Sequence, residues 1–106
     1  MLAISRFQVP DERTADFRAR AEAAVAFFAG CRGCQDALLL QNLDEPTLWT
    51  ITSKWADVGS YRRSFNGYEA KMVLVQLLSE AIDEPSAYAT PDEVGENFPR
   101  SGTWLD

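Results

Sequence analysis

Leu48-Trp49-Thr50-Ile51-Thr52-Ser53-Lys54-Trp55-Ala56-Asp57-Val58-Gly59-Ser60-Tyr61-Arg62-Arg63-Ser64-Phe65 is the stretch whose pattern decides the fold. Through Trp55 it alternates. Trp49, Ile51, Ser53 and Trp55 share one face, and Leu48, Thr50, Thr52 and Lys54 share the other, as in a half-buried strand. Asp57 then offers a side-chain oxygen to the free N–H groups of a first helical turn. The helix predicted from there runs through Phe65, and Asn66-Gly67 ends it by supplying the left-handed backbone position. A large ring is thereby held at a rigid strand end where a helix begins, a place suited to walling a small-molecule pocket.

Working upstream, Gln35 to Asn42 reads as a second strand, and Asp44-Glu45-Pro46 as the turn of an antiparallel hairpin with the Trp55 strand. Leu2 to Val9 alternates and is ended by Pro10, so it reads as the first strand. Asp11 is the expected N-cap of a long helix with Glu12 in its first turn. In that helix Phe17, Ala21, Ala24, Val25 and Phe28 recur at helical spacing, opposite Arg18, Arg20 and Glu22, and Gly30 suits its end. Downstream, Tyr68 to Ser79 predicts a helix packed through Met72, Val75 and Leu78, and Ser86 to Thr90 a brief last strand. Residues 91–106 show no apolar periodicity and read as an irregular tail, ending near Trp104, beyond a domain of residues 1–90.

The element order is β-α-β-β-α-β with the second helical region broken in two. This predicts an α+β, ferredoxin-like antiparallel sheet with its helices on one face. The other face would be left bare yet partly apolar, so two copies are expected to pack sheet to sheet as a homodimer.

The bulk properties narrow the function classes. The 106 residues, 46% of them hydrophobic and 11% aromatic, suit one ordinary globular domain. A net charge of -6 with no Lys/Arg stripe repels phosphate backbones, so nucleic acid is not an expected partner. The longest apolar run, Met72 to Leu78, is interrupted by Gln76 and is far too short to span a bilayer. Met1 leads straight into a strand with no basic segment before it, and a soluble, cytoplasmic protein is expected. Histidine is absent. That removes the usual general base, the usual heme axial ligand and the commonest zinc ligand together.

The candidate chemistry clusters around Trp55. Its ring could stack on a planar aromatic ligand or simply plug the core. Trp49 on the same strand face and Phe65 at the helix end extend the candidate wall. Tyr61, Tyr68 and Asn66 could donate hydrogen bonds to phenol or quinone oxygens, although Asn66 is more simply a helix cap. Tyr61, six residues after Trp55, is the best placed. Arg62 or Arg63 could hold an oxyanion, but neighbouring helical positions diverge by about 100°, so at most one points inward. Arg6, in mid-strand, needs a partner or a cavity. Glu80, Asp83 and Glu84 precede Pro85, and Glu80 or Glu84 could act as a general base if burial raised its pKa; capping a turn is the plainer role. Cys31-Arg32-Gly33-Cys34 suggests a redox dithiol or half a zinc site, but it follows a helix C-terminus, where the dipole opposes thiolate formation, and with no further Cys and no His zinc would need carboxylates to complete its shell. No metal is expected.

Four features carry a resemblance. They are the leading strand, the Gly30-Cys31 turn after an Ala-rich helix, the Asp44-Glu45-Pro46 hairpin, and the strand ending in Trp55 ahead of Ser60-Tyr61-Arg62. With them the chain, from Met1 to about Thr90, resembles the antibiotic biosynthesis monooxygenase (ABM) family of dimeric α/β barrels. Leu77-Leu78-Ser79-Glu80-Ala81-Ile82-Asp83-Glu84-Pro85-Ser86 also looks like a subgroup common in actinobacteria. The resemblance implies a substrate cavity between sheet and helices, lined by the tryptophan that closes the third strand, a position matched by Trp55. Members include cofactor-independent oxygenases of polycyclic aromatic polyketides and heme-degrading enzymes. The heme branch holds iron through a histidine in the second helical region, where this chain has Arg62 to Asn66. Heme degradation is therefore not expected. The resulting expectation is an oxidoreductase, a monooxygenase of a small aromatic or polyketide-like molecule without flavin, heme or metal. Trp55 would stack, Tyr61 would hydrogen-bond, and Glu84 or the substrate's own acidity would drive deprotonation. The alternative is a non-catalytic ligand-binding or accessory protein, cyclase-like, on the same scaffold.

Overall fold

A computed structural model describes residues 1–97. Its sheet has four antiparallel strands: β1 Leu2–Gln8, β2 Cys34–Gln41, β3 Leu48–Trp55 and β4 Ala87–Tyr88, in the order β2-β3-β1-β4. β1 pairs with β3 from Leu2 opposite Lys54 to Gln8 opposite Leu48. β2 pairs with the other edge of β3, from Gln41 opposite Trp49 to Cys34 opposite Trp55. The hairpin between them turns on Asn42, whose side-chain oxygen accepts the N–H groups of Asp44 and Glu45 at 2.9 and 2.8 Å.

The alternation sorts residues to two faces as expected. Ala3, Phe7, Trp49, Ile51, Ser53 and Trp55 are buried under the helices. Leu2, Ile4, Arg6, Leu38, Leu40, Thr50, Thr52 and Lys54 alternate with them and point to the other side, where no described helix lies. Leu38 and Leu40 are 45% and 46% exposed there.

α1, Thr14–Ala29, buries Phe17, Ala21, Ala24 and Phe28, four of the five predicted positions, and Val25 is half-buried. Its start differs from the expectation. Asp11 makes no cap; it lies in a 3-10 turn, Asp11–Arg13, because the Pro10 carbonyl takes the Arg13 N–H at 2.9 Å before the α-helix begins. Asp57 does cap α2, Val58–Arg63: its Oδ1 accepts the Ser60 N–H at 2.7 Å.

The next helical stretch comprises α3 Tyr68–Ala70, a π-turn Lys71–Val75, and α4 Gln76–Leu78. It buries Ala70, Leu74 and Leu77, not the predicted Met72 and Val75, which are 49% and 45% exposed; Leu78 is half-buried. Both stripes have helical spacing, so periodicity alone does not choose between them. The stripe that reaches the core contains a small residue, Ala70, and the two leucines of greatest burial.

Two further corrections concern the C-terminal part. The last strand is confined to Ala87–Tyr88, paired with Ala3 and Leu2. Pro91–Asn97 is a fifth helix, α5, where no element was predicted. Thr90 Oγ1 accepts the Glu93 N–H at 3.3 Å, and Pro91 occupies the first helical position. The Met1 ammonium lies 3.9 Å from Glu93 and donates to the Trp55 carbonyl at 3.2 Å. Trp104, in the tail read as irregular, lies outside the described residues. Among those residues no helix is long and apolar enough to cross a membrane.

Candidate functional site

Ser53 and Trp55 are two residues apart on the inward face of β3, and the Trp55 indole N–H donates to Ser53 Oγ at 2.8 Å. Both side chains are essentially sealed; Trp55 is 1% exposed. The one polar group of Trp55 is thus satisfied within its own strand. Around it, four rings close a loop. Trp55 meets Phe28 edge-on at 5.6 Å and Tyr61 at 5.7 Å; Phe65 meets Tyr61 at 5.0 Å and Phe28 at 6.1 Å. Tyr61 and Phe65 are four residues apart, the spacing that stacks side chains on one helical face. Edge-to-face pairs contribute roughly 0.5–1.5 kcal/mol each beyond burial, so the quartet fixes the positions of its members.

Tyr61 and Phe65 are the two members that meet open space. They line a cleft of about 460 Å³ together with Ser5, Leu78, Glu84 and Ser86. It opens between β1, the α2 segment that carries Tyr61 and leads to Phe65, and the segment after α4. The segment after α4 forms its rim: the Ile82 N–H donates to the Arg6 carbonyl at 2.8 Å, and the Ile4 N–H donates to the Ser86 carbonyl at 2.7 Å. Burial pushes the Tyr61 phenol pKa up, and the neighbouring Ser86 hydroxyl pulls weakly the other way. The phenol therefore stays protonated around neutrality and serves as a hydrogen-bond donor.

The carboxylates behave differently from the expected raised-pKa base. Arg6 holds Glu84 in a bidentate pair, Nε to Oε2 and Nη2 to Oε1, both at 2.7 Å. That pairing satisfies the mid-strand arginine and holds the Glu84 carboxyl below its usual range. Glu84 lines the cleft, but as an ionised partner of Arg6. Glu80 receives Arg20 at 3.3 and 2.7 Å and lies 3.7 Å from Arg13; its pKa is lowered, chiefly by the Arg20 hydrogen bonds. A carboxylate with a depressed pKa is a weak base.

The Arg20 pairing makes the contribution of Glu80 to stability depend on pH. A folded-state pKa below the ordinary 4.5 makes the ion pair fully stabilising above that value, and the benefit is lost as pH falls through the depressed one. Glu80→Gln is expected to lower unfolding free energy by under about 1 kcal/mol at neutral pH, the range of exposed pairs. Urea unfolding at neutral pH and in acid checks it: the gap between wild type and variant should close in acid.

Other predicted residues lie elsewhere. Trp55 does not reach the cleft; Tyr61, its ring neighbour, does, so the stacking role expected of Trp55 has no exposed ring face to act through. Trp49 is buried against Phe17 at 5.7 Å, in the part of the core filled by α1, away from the cleft; among the described residues its Nε1 has no hydrogen-bond partner. Asn66 is exposed, donates its N–H to the Arg63 carbonyl at 3.1 Å and precedes Gly67 at φ 94°, the helix-ending role. Tyr68 is exposed. Arg62 lines a second, smaller cleft of about 200 Å³ with Met1, Val58, Tyr61, Ala87 and Val94. Cys31 and Cys34 are free thiols bonded to the Phe27 and Asp36 carbonyls, and burial raises both pKa values. Among the described residues no group of three or more His, Cys, Asp or Glu could hold a metal ion.

Two members of the site escaped the sequence reading. Ser53 was legible: a small polar residue in an otherwise large apolar stripe, two positions before a tryptophan, is placed to receive its N–H. Ser86 was not, because only the tertiary fold brings it to Tyr61.

Comparison with known structures agrees with this architecture. A conserved protein from Methanosarcina mazei superposes with a TM-score of 0.67 at 24% identity, over 81% of this chain and 84% of that one. SnoaB, a cofactor-independent oxygenase from Streptomyces nogalater, gives 0.70 at 21% identity, over 84% and 91%. Rv0793 from Mycobacterium tuberculosis gives 0.64 at 16% identity, over 81% and 86%. No curated protein sequence matches the chain. The family model for antibiotic biosynthesis monooxygenases matches residues 1–71, which span β1 through the quartet and into α3. With the leading strand, the hairpin and the Trp55-to-Phe65 segment all inside that match, the chain belongs to the antibiotic biosynthesis monooxygenase family.

Proposed function

We propose that the protein is a monooxygenase of a small aromatic or polyketide-like molecule, working without flavin, heme or metal. The observation that carries this reading is the 460 Å³ cleft between sheet and helices, with the protonated Tyr61 phenol in its wall and Phe65 beside it. Family membership and the fold shared with SnoaB support it. The aromatic substrate lies against Tyr61 and Phe65. Its acidic ring methylene gives up its proton to solvent water in the open cleft, because neither Glu80 nor Glu84 is poised as a base. The enolate so formed carries charge on its oxygen, and the Tyr61 hydroxyl donates to it, stabilising the state that passes an electron to dioxygen. Oxidation of the methylene to a carbonyl consumes one dioxygen and releases one water, so no external reductant enters. Trp55 acts as a positioning residue: anchored on Ser53, it holds the Tyr61 ring from behind. The test is oxygen uptake by the purified protein with an anthrone-like substrate and identification of the quinone product. Ligand binding without any oxygen uptake, across several such substrates, would favour the accessory-protein reading instead.

The working form is a homodimer joined through the helix-free sheet faces. Leu38 and Leu40, both nearly half exposed on that face, supply apolar area that a second sheet covers. Leu40→Lys is expected to convert the dimer to monomer at micromolar concentration, read by sedimentation; an unaltered dimer would show that another surface joins the copies.

A further inference from the structure

We infer that Ser5 and Asp83 decide which aromatic the substrate cleft accepts: Ser5 hydrogen-bonds a ring hydroxyl, and Asp83 turns away carboxylated relatives. The inference deepens the monooxygenase reading above and rests on it for the location of the substrate. Its first support is the register of β1. Ser5 lies opposite Ile51, so it points with Ala3 and Phe7 to the face that the helices cover. Those two neighbours are apolar and buried, whereas Ser5 is half-buried and lines the 460 Å³ cleft. Ser53, the serine on the same face of β3, has a protein partner in the Trp55 N–H. The Ser5 hydroxyl makes no hydrogen bond within the described residues. A hydroxyl set into an apolar face without a protein partner costs stability, and a ligand oxygen in the cleft removes that cost.

The second support is charge, which in this cleft has one sign. Asp83 and Glu84 line it, and among the described residues no Lys or Arg does. Arg6 cancels Glu84 through the two hydrogen bonds of 2.7 Å. Asp83 is exposed and has no ion-pair partner among the described residues, so its carboxylate is the charge an entering ligand meets. The net charge of -6 adds a field of the same sign. A ligand carboxylate is repelled at the mouth and finds no cation inside. A neutral hydroxylated ring escapes that penalty, and gains charge only as the enolate forms at the Tyr61 hydroxyl. Ser86, the neighbour of the Tyr61 phenol, gives its carbonyl to the Ile4 N–H at 2.7 Å, which brings the phenol and Ser5 to one space. One oxygen of the substrate meets Tyr61 there, and another meets Ser5.

Anaerobic calorimetry on the purified protein separates these roles from turnover. The probes are a dihydroxyanthrone, plain anthrone and an anthrone carboxylic acid. Ser5→Ala is expected to weaken binding of the dihydroxyanthrone about five-fold, the size of one neutral hydrogen bond, and to leave plain anthrone unchanged. Its unfolding midpoint should stay in place or rise, because the hydroxyl has no protein partner to lose. Asp83→Asn is expected to tighten binding of the carboxylic acid about three-fold at low salt, an effect that fades at high salt, without altering the other two. The role of Ser5 is overturned if Ser5→Ala weakens both neutral probes alike, moves neither, or lowers the unfolding midpoint. Carboxylic acid binding that does not respond to Asp83→Asn overturns the role of Asp83, and a wild type that binds none of the probes overturns both. A wild type that binds them in the expected order yet takes up no oxygen in air fells the monooxygenase reading alone; Ser5 and Asp83 then select the ligand of an accessory protein.

Discussion

Tyr61→Phe is expected to lower oxygenation turnover by a factor on the order of 10², the usual cost of removing one donor to a developing oxyanion. The ring itself remains, so its edge-on contacts with Trp55 and Phe65 at 5.7 and 5.0 Å persist and the cleft keeps its shape. Substrate KM should therefore change little. The loss belongs in kcat, because the hydrogen bond strengthens only as charge builds on the substrate oxygen. Oxygen-electrode kinetics over a range of substrate concentration separate the two parameters, and thermal unfolding reports whether the quartet survives. A variant with full turnover would remove Tyr61 from the chemistry and leave it a wall. Trp55→Phe should give a smaller decrease through looser support of Tyr61, since no atom of Trp55 reaches the cleft.

Gly33→Ala is expected to destabilise the fold by about 3 kcal/mol or more. Gly33 has φ 89°, where a Cβ alone costs roughly 1–2 kcal/mol. An added Cβ would also fall 2.3 Å from Ser60 Oγ and 2.5 Å from Ser60 Cβ, so one backbone must move. Movement is costly here because the Gly33 carbonyl accepts the Ala56 N–H at 2.8 Å, at the junction of β3 and α2. The turn between the two cysteines is thus a structural latch against the helix that carries Tyr61. Urea unfolding measures the loss. Adding Ser60→Gly removes the colliding atoms, so the double variant should fall short of the summed single effects and retain mainly the backbone strain. Simple additivity would mean that the close approach to Ser60 is not what makes Gly33 necessary.

Much of this architecture was legible because its signals are local. The alternation of Leu48 to Trp55 placed β3 with both ends correct, and Asp57 capped α2 as read. Phe17, Ala21, Ala24 and Phe28 marked the buried stripe of α1. α5 was missed for want of apolar periodicity, although Thr90-Pro91-Asp92-Glu93 carries a capping pattern that does not depend on periodicity. The stripe chosen between Tyr68 and Leu78 was missed for a different reason: two stripes fit the helical period, and only packing against the rest of the core selects Ala70, Leu74 and Leu77.

The candidate site divides along the same line. By itself the sequence determined that a tryptophan closes an inward-facing strand, that Tyr61 and Phe65 share one helical face beyond it, and that no histidine is at hand. Those are statements about residue type and spacing, which backbone periodicity converts directly into geometry. Only the tertiary structure decided that Trp55 is sealed behind Tyr61 with its N–H spent on Ser53, and that Glu84 is neutralised by an arginine 78 positions away. It also decided that Ser86 comes to the phenol. The physical reason is that burial, ion pairing and pKa depend on which distant segments meet, and chain closure over such separations leaves no periodic trace in the sequence.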